Sequence, residues 1–236
     1  MDTVAPETRA SHPAAVTPRR LSNWSSDFYQ AGPLLMRKLQ HWRPYICPFE
    51  ELIRHVPDNA TVLDAGCGGG LFLALVAASG KRIIGRGFDI SPVAIRTAQE
   101  MSNRAAKAGS TLHFEVRPVS DQWPGGQYDV VSLIDVAHHV PPPFQEEFLL
   151  AACRHVRPGG VLIYKDMCCR PRWRAAANSL HDLVLARQWV HYLPITRVEA
   201  WVAGASMELV YRADRLNRLW YGHELRVFRK RNLQAD

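Results

Sequence analysis

The chain has 236 residues, 47% of them apolar, which is enough for one domain with a sizeable core. No apolar run approaches the 18 or more residues of a membrane span, and the N-terminus has no apolar signal core. Five cysteines without regular spacing fit reduced thiols and a cytoplasmic location, and the net charge of +7 lies wholly within residues 170–231, which hold twelve Arg or Lys against five Asp or Glu.

Residues 1 to about 20 are rich in Ala, Pro, Thr and Ser and are expected to form a disordered tail. From 21 to 56 apolar and aromatic residues, among them Trp24, Phe28, Tyr29, Leu35, Leu39 and Trp42, recur at helical spacing. Pro33, Pro44 and Pro48 are expected to divide this segment into short helices that cap the core of residues 57–166. Strands are expected at 61–64, 82–88, 111–116, 128–134 and 160–166, with helices at 70–78, 92–107 and 143–155 between them. The alternation predicts a parallel, doubly wound α/β sheet.

The first strand ends in Asp64, and Gly66, Gly68, Gly69 and Gly70 follow within five positions before a helix. Such a turn lets backbone approach a small ligand. A dinucleotide fingerprint would need a third glycine where Leu71 stands, and a phosphate loop would need a Lys-Ser/Thr pair after the glycines. The second strand ends in Asp89, about 20 residues on, where an acid can bind ribose hydroxyls; Ser91-Pro92 then open a helix. Gly159-Gly160 are expected to turn into the fifth strand. Cys168-Cys169 lack metal-ligand spacing, so no metal site is expected.

Beyond residue 166 the pattern predicts a helix over 173–190 and a second one opened at Thr196, with Glu199 completing a capping box. Strands at 208–214 and 223–229, joined by an eight-residue loop, complete the expected chain.

Leu63 to Gly70, Phe88 to Ser91, Tyr128 to Ser132 and Val156 to Leu162 stand in the order and spacing of one family. Through them the chain resembles the class I S-adenosylmethionine-dependent methyltransferases, in their small-molecule branch of quinone and secondary-metabolite enzymes. The resemblance covers residues 45 to 166. It implies a Rossmann-like sheet of seven strands, parallel but for the last, with helices on both faces, an N-terminal helical cap and a helical insertion after strand five. It also implies S-adenosyl-L-methionine as cofactor and S-adenosyl-L-homocysteine as product.

On that resemblance Asp64 would attract the methionine ammonium, with Gly66, Cys67 and Gly68 beside the methionine moiety. Asp89 would accept from the ribose, with Ile90 alongside. Ile134 and Asp135 would line the cavity near the sulfonium. Asp121 is the nearest acid for the adenine, about two residues late, and Val119 is the alternative at that position. His138 and His139, after strand four, are the candidates for a general base, with packing or a backbone hydrogen bond the other reading. Trp24, Tyr29, Arg172 and Trp173 are candidate substrate contacts, as are Lys165, His181 and His191.

The expected reaction is O-methylation of a small aromatic or quinone-type acceptor, with C-methylation next. The basic C-terminal region also allows an acceptor presented by an acidic carrier protein. Nucleic-acid methylation is a further reading, disfavoured because Ile134-Asp135-Val136-Ala137 lacks the Asp/Asn-Pro-Pro-aromatic motif that stacks a flipped base. A non-catalytic cofactor-binding protein is the remaining alternative.

Overall fold

The computed structural model describes residues 16–31, 34–106, 109–118, 120–167, 191–218 and 221–232. Seven strands form one sheet: β1 (Ala60–Ala65), β2 (Ile83–Asp89), β3 (Thr111–Val116), β4 (Tyr128–Ile134), β5 (Val156–Met167), β6 (Met207–Arg218) and β7 (Tyr221–Lys230). Their order is β3-β2-β1-β4-β5-β7-β6. All pairings from β3 to β5 are parallel, whereas β7 runs antiparallel to both β5 and β6. The chain winds outward from β1 in one direction and from β4 in the other, so the crevice of a doubly wound sheet falls at their carboxyl ends.

Side-chain alternation along the strands sets the two faces. Val62, Val130, Ile163 and Val227 join α1 (Pro18–Phe28), α3 (Phe49–Arg54), α4 (Leu71–Ala78) and α5 (Pro92–Ala105) in one core. Their neighbours Leu63, Val131, Leu162 and Phe228 join α6 (Gln145–His155) and α7 (Ile195–Gly204) in the other. Helices therefore cover both faces, as the α/β reading expects. The long helix α2 (Leu34–Ile46) rests chiefly on α1.

Several local expectations are corrected. Helix α1 starts at Pro18, inside the expected tail, because the Thr17 side chain accepts from Arg20 N and Pro18 occupies the first turn. Pro44 does not divide the cap; it lies within α2. A proline there deprives the Gln40 carbonyl of its intrahelical donor, and Ser25 Oγ of α1 donates to that carbonyl at 2.8 Å.

Gly159-Gly160 lie within β5, not before it. The pairing passes from Tyr128↔Val156 to Val130↔Val161, so Asp129 alone faces four residues of β5. Thr196 does not cap α7. Pro194 is its N-cap residue, and Glu199 bonds Arg226 and Arg212 instead. The final strands continue to Arg218 and resume at Tyr221, which replaces the expected loop of eight residues. Register shifts between Leu209 and Tyr211, and again between Ala213 and Leu216, mark bulges that break the simple alternation. The helix expected over 173–190 lies outside the described residues, as do Arg172, Trp173 and His181.

Candidate active site

A cavity of about 1230 Å³ opens at the carboxyl ends of β1, β2 and β4. The glycine loop forms its floor. Gly66 and Cys67 both donate to the Phe88 carbonyl, which ties the loop to the end of β2. Gly70 caps α4 in the left-handed region, where a Cβ would stand 2.7 Å from the Phe114 ring. Gly68 has φ +52°, and no described heavy atom lies within 4 Å of where its Cβ would be. The loop thus presents bare backbone to the cavity.

Two acids flank that backbone. Asp64 is buried at the end of β1 and accepts from Ser132 Oγ at 2.7 Å. Burial raises its carboxyl to about 7 and nearby Asp89 adds to the rise, both against the Ser132 hydrogen bond. Asp89 accepts from Gly68 N through Oδ2 and from Ser91 N through Oδ1, each at 2.9 Å. Each oxygen keeps lone-pair capacity for a further donor. The Cys67 thiol is pushed well above its ordinary value by burial and by both carboxylates, so it stays a neutral thiol.

The loop after β4 forms the opposite wall. Asp135 takes φ +53° and is flanked by two cations. Lys165 Nζ, with no solvent exposure, donates to Oδ1 at 2.5 Å, and Arg43 Nη2 of α2 donates to Oδ2 at 3.3 Å. Burial opposes ionisation of Asp135, but Lys165 and Arg43 outweigh it and hold the carboxyl below the usual range.

His138 and His139 part company. His138 is buried, with Nδ1 2.5 Å from Asp166 Oδ1 and its backbone N–H donating to Oδ2 at 3.2 Å. His139 faces the cavity, its ring centroid 4.1 Å from that of His138. Burial and then His138 lower it to about 4, so its imidazole is neutral at neutral pH.

The cavity brings together Asp64, Gly66, Cys67, Gly68, Asp89, Ile90, Asp121, Ile134, Asp135, His139 and His191. It does not bring in Trp24, which packs on the core with Arg20 over its ring. Tyr29 is buried beneath the loop and donates to the Gly69 carbonyl at 2.6 Å, so it braces the glycines. Lys165 acts from behind Asp135.

Sequence reasoning passed over Arg43, Gln40, Ser132 and Asp166. Ser132 was visible as the one polar residue in Val130–Ile134. Arg43 and Gln40 carried no such signal, because only the docking of α2 turns them toward the cavity. Among the described residues no group of three His, Cys, Asp or Glu side chains is placed to hold a metal, and no helix is long and apolar enough to cross a membrane.

Residues 36–211 match the family model described as a methyltransferase domain. The ubiquinone biosynthesis O-methyltransferase of Thiobacillus denitrificans is 31% identical over 180 residues, covering 74% of this chain and 73% of that one. That of Pseudomonas paraeruginosa is 30% identical over 156 residues, and that of Sodalis glossinidius 29% over 113. The chain spans only 65% and 43% of those two relatives, having matched over 63% and 47% of its own length.

Among solved structures, a SAM-dependent methyltransferase from Methanosarcina mazei superposes with a TM-score of 0.63 at 17% identity, covering 78% of this chain and 98% of its own. Magnesium protoporphyrin IX methyltransferase from Synechocystis, with bound SAH, gives 0.64 at 15% identity, with coverage of 88% and 93%. These likenesses concern the fold. With the glycine loop, Asp64 and Asp89 at the switch point of a seven-stranded sheet, and most of the chain matched by the family model, the chain belongs to the methyltransferase-domain family and has the class I S-adenosylmethionine-dependent fold.

Proposed function

We propose that the chain transfers a methyl group from S-adenosylmethionine to a small, partly apolar acceptor, with an aromatic or quinone-type hydroxyl oxygen as the favoured nucleophile and carbon next. One observation carries this reading: a single cavity is shared by Asp64, the bare glycine backbone and Asp89 on one side and by His139 on the other. The relatives named as O-methyltransferases of ubiquinone biosynthesis support oxygen and a quinone-type ring.

The residues fit the cofactor on their own chemistry. Asp64 is a buried acid with one hydroxyl donor and a raised carboxyl value, which a neighbouring ammonium would relieve. Arg43 is a cation on the same cavity wall and would hold a carboxylate. Gln40 Oε1, also there, is buried and has no hydrogen-bond donor among the described residues. Gly68 leaves its approach clear of side chain, and Asp89 has lone pairs for vicinal hydroxyls. Ile90 and Asp121 line the same cavity and would border the adenine. When bound, S-adenosylmethionine supplies a methyl group already activated on a sulfonium.

The protein's tasks are alignment and proton removal. Lys165 and Arg43 fix the Asp135 carboxylate, so the backbone after β4 keeps one shape beside the reacting centre. Asp166 holds both the ring and the N–H of His138, which anchors the turn that presents His139. His139, neutral and facing the cavity, would accept the acceptor's hydroxyl proton.

Transfer of labelled methyl into a fractionated metabolite extract, with mass analysis of the product, tests the reading. Label is expected in a small-molecule fraction and is expected to vanish with Asp89→Ala. Labelling that persists with Gly68→Arg would remove the glycine loop from the reaction. His139→Gln is expected to lower kcat by about 10²-fold or more while cofactor affinity holds.

A further inference from the structure

Gln145 is the first residue of α6, yet it is only 4% exposed. A Cα–Cβ bond in a helix leans toward the N-terminus, so this side chain reaches back over the turn that precedes α6. There its Nε2 donates to three carbonyls: Ala137 at 3.3 Å, Val140 at 3.2 Å and His191 at 3.0 Å. A primary amide has two hydrogens, so one of them is shared between two oxygens. Burying an amide costs free energy unless such bonds satisfy it, and these bonds fix where its partners stand.

All three partners belong to the side of the cavity that carries its imidazoles. Ala137 and Val140 bracket His139, and the Ala137 carbonyl also accepts from Val140 N at 3.1 Å, which closes a short 3-10 turn. The backbone of His191 is held on both sides: its N–H donates to the His138 carbonyl at 2.8 Å, and its carbonyl accepts from Gln145. His139 and His191 both line the cavity.

We propose that Gln145 is a positioning residue for methyl transfer: it locks the His139 turn and the backbone at His191 into one acceptor-facing wall. This rests on the methyl-transfer reading of the cavity and adds to it the group that sets where the imidazole stands. Asp166 fixes His138 from β5, and Gln145 fixes the residues around His139 from α6. Without the amide the turn keeps its tie to β5 and loses its tie to α6. His139 is then free to swing, while the glycine loop and Asp89 stay as they are. A misplacement of about 1 Å at a reacting group can cost about 10²-fold in rate.

Two variants of the full chain test this. Gln145→Asn draws the amide back by one methylene, and Gln145→Met keeps the length without a donor. Affinity for S-adenosylhomocysteine by calorimetry is expected to stay within about threefold of the parent. Labelled methyl transfer into the same metabolite extract is expected to fall about tenfold or more. It is expected to fall little further in a chain that already carries His139→Gln. NMR of histidines labelled at the ring carbon reads the placement without any acceptor. His139 feels the charges of His138, Asp166, Asp135 and Arg43 and titrates near 4 in the parent; release toward solvent is expected to move it toward 6.5. A variant with the parent's rate or the parent's His139 midpoint overturns the proposal. So does one that loses S-adenosylhomocysteine affinity as steeply as transfer, or one whose loss is undiminished beside His139→Gln. A parent that transfers no methyl sinks the reading of the cavity instead, and the His139 midpoint alone then decides the placement.

Discussion

Asp64 is poised between two duties. Its carboxyl titrates near 7 in the fold against 3.8 for an ordinary aspartate. The folded form therefore holds its proton where the unfolded chain has released it, and stability falls as pH rises from about 4 to about 7. Three units correspond to about 4 kcal/mol as an order of magnitude. Asp64→Asn keeps an acceptor for Ser132 and removes the charge. It is expected to stabilise the ligand-free chain by up to a few kcal/mol at pH 8 and little at pH 5, while abolishing cofactor affinity. Thermal melts at both values, paired with calorimetry, check this.

His139 titrates near 4 instead of 6.5. If it takes the acceptor proton, kcat is flat from about pH 6 to 8, while kcat/KM for the cofactor falls below about pH 7 as Asp64 becomes neutral. An inflection in kcat at 6.5 that survives His139→Gln would assign the proton to another group. These residues differ in how plainly the sequence marks them. Asp64, Gly68 and Asp89 are legible because strand-end chemistry is local. His138 and His139 look equivalent in sequence, and Asp166, 28 positions on, draws the His138 ring inward while His139 faces the cavity.

Among the elements, α1 and α2 are joined by serines: Ser22 and Ser25 donate to the His41 and Gln40 carbonyls, and Ser26 bonds the His41 ring. Ser25→Ala leaves the Gln40 carbonyl without a donor, at a cost of about 1–3 kcal/mol. Pro44→Ala restores an N–H four residues on, so the cost of Ser25→Ala should shrink in that background, and denaturant melts of the four-member cycle measure the difference. This arrangement explains what the sequence conceals. A proline read alone signals a break, and here a hydroxyl from another helix answers the orphaned carbonyl. Glu199 likewise reads as a capping acid, yet Arg226, buried in β7, captures it at 2.5 Å. The parallel core was legible from its strand–helix alternation. The final pair of strands was legible too, but not their extent, because bulges interrupt the period-2 pattern beyond Leu209.

At the scale of the molecule, ligand and fold are linked. S-adenosylhomocysteine at 100 times its Kd is expected to add about 2.7 kcal/mol to stability. For a chain of this size that raises Tm by roughly 5–10 °C. Gly68→Arg should melt without that shift, which a thermal scan with and without ligand reads directly.

The cap is also fastened from the far end of the chain. His223 of β7 bonds the Ile46 carbonyl across 177 positions, at 2.7 Å, and Tyr211 of β6 donates to Glu51 across 160, at 2.8 Å. During synthesis α2 and α3 therefore leave the ribosome long before their anchors exist. The glycine loop can fold behind them and α2 can already lean on α1, but the two ties from His223 and Tyr211 form only when the last hairpin is in place. Cofactor capture then marks a completed chain, and a nascent one truncated before β6 would fail to retain it.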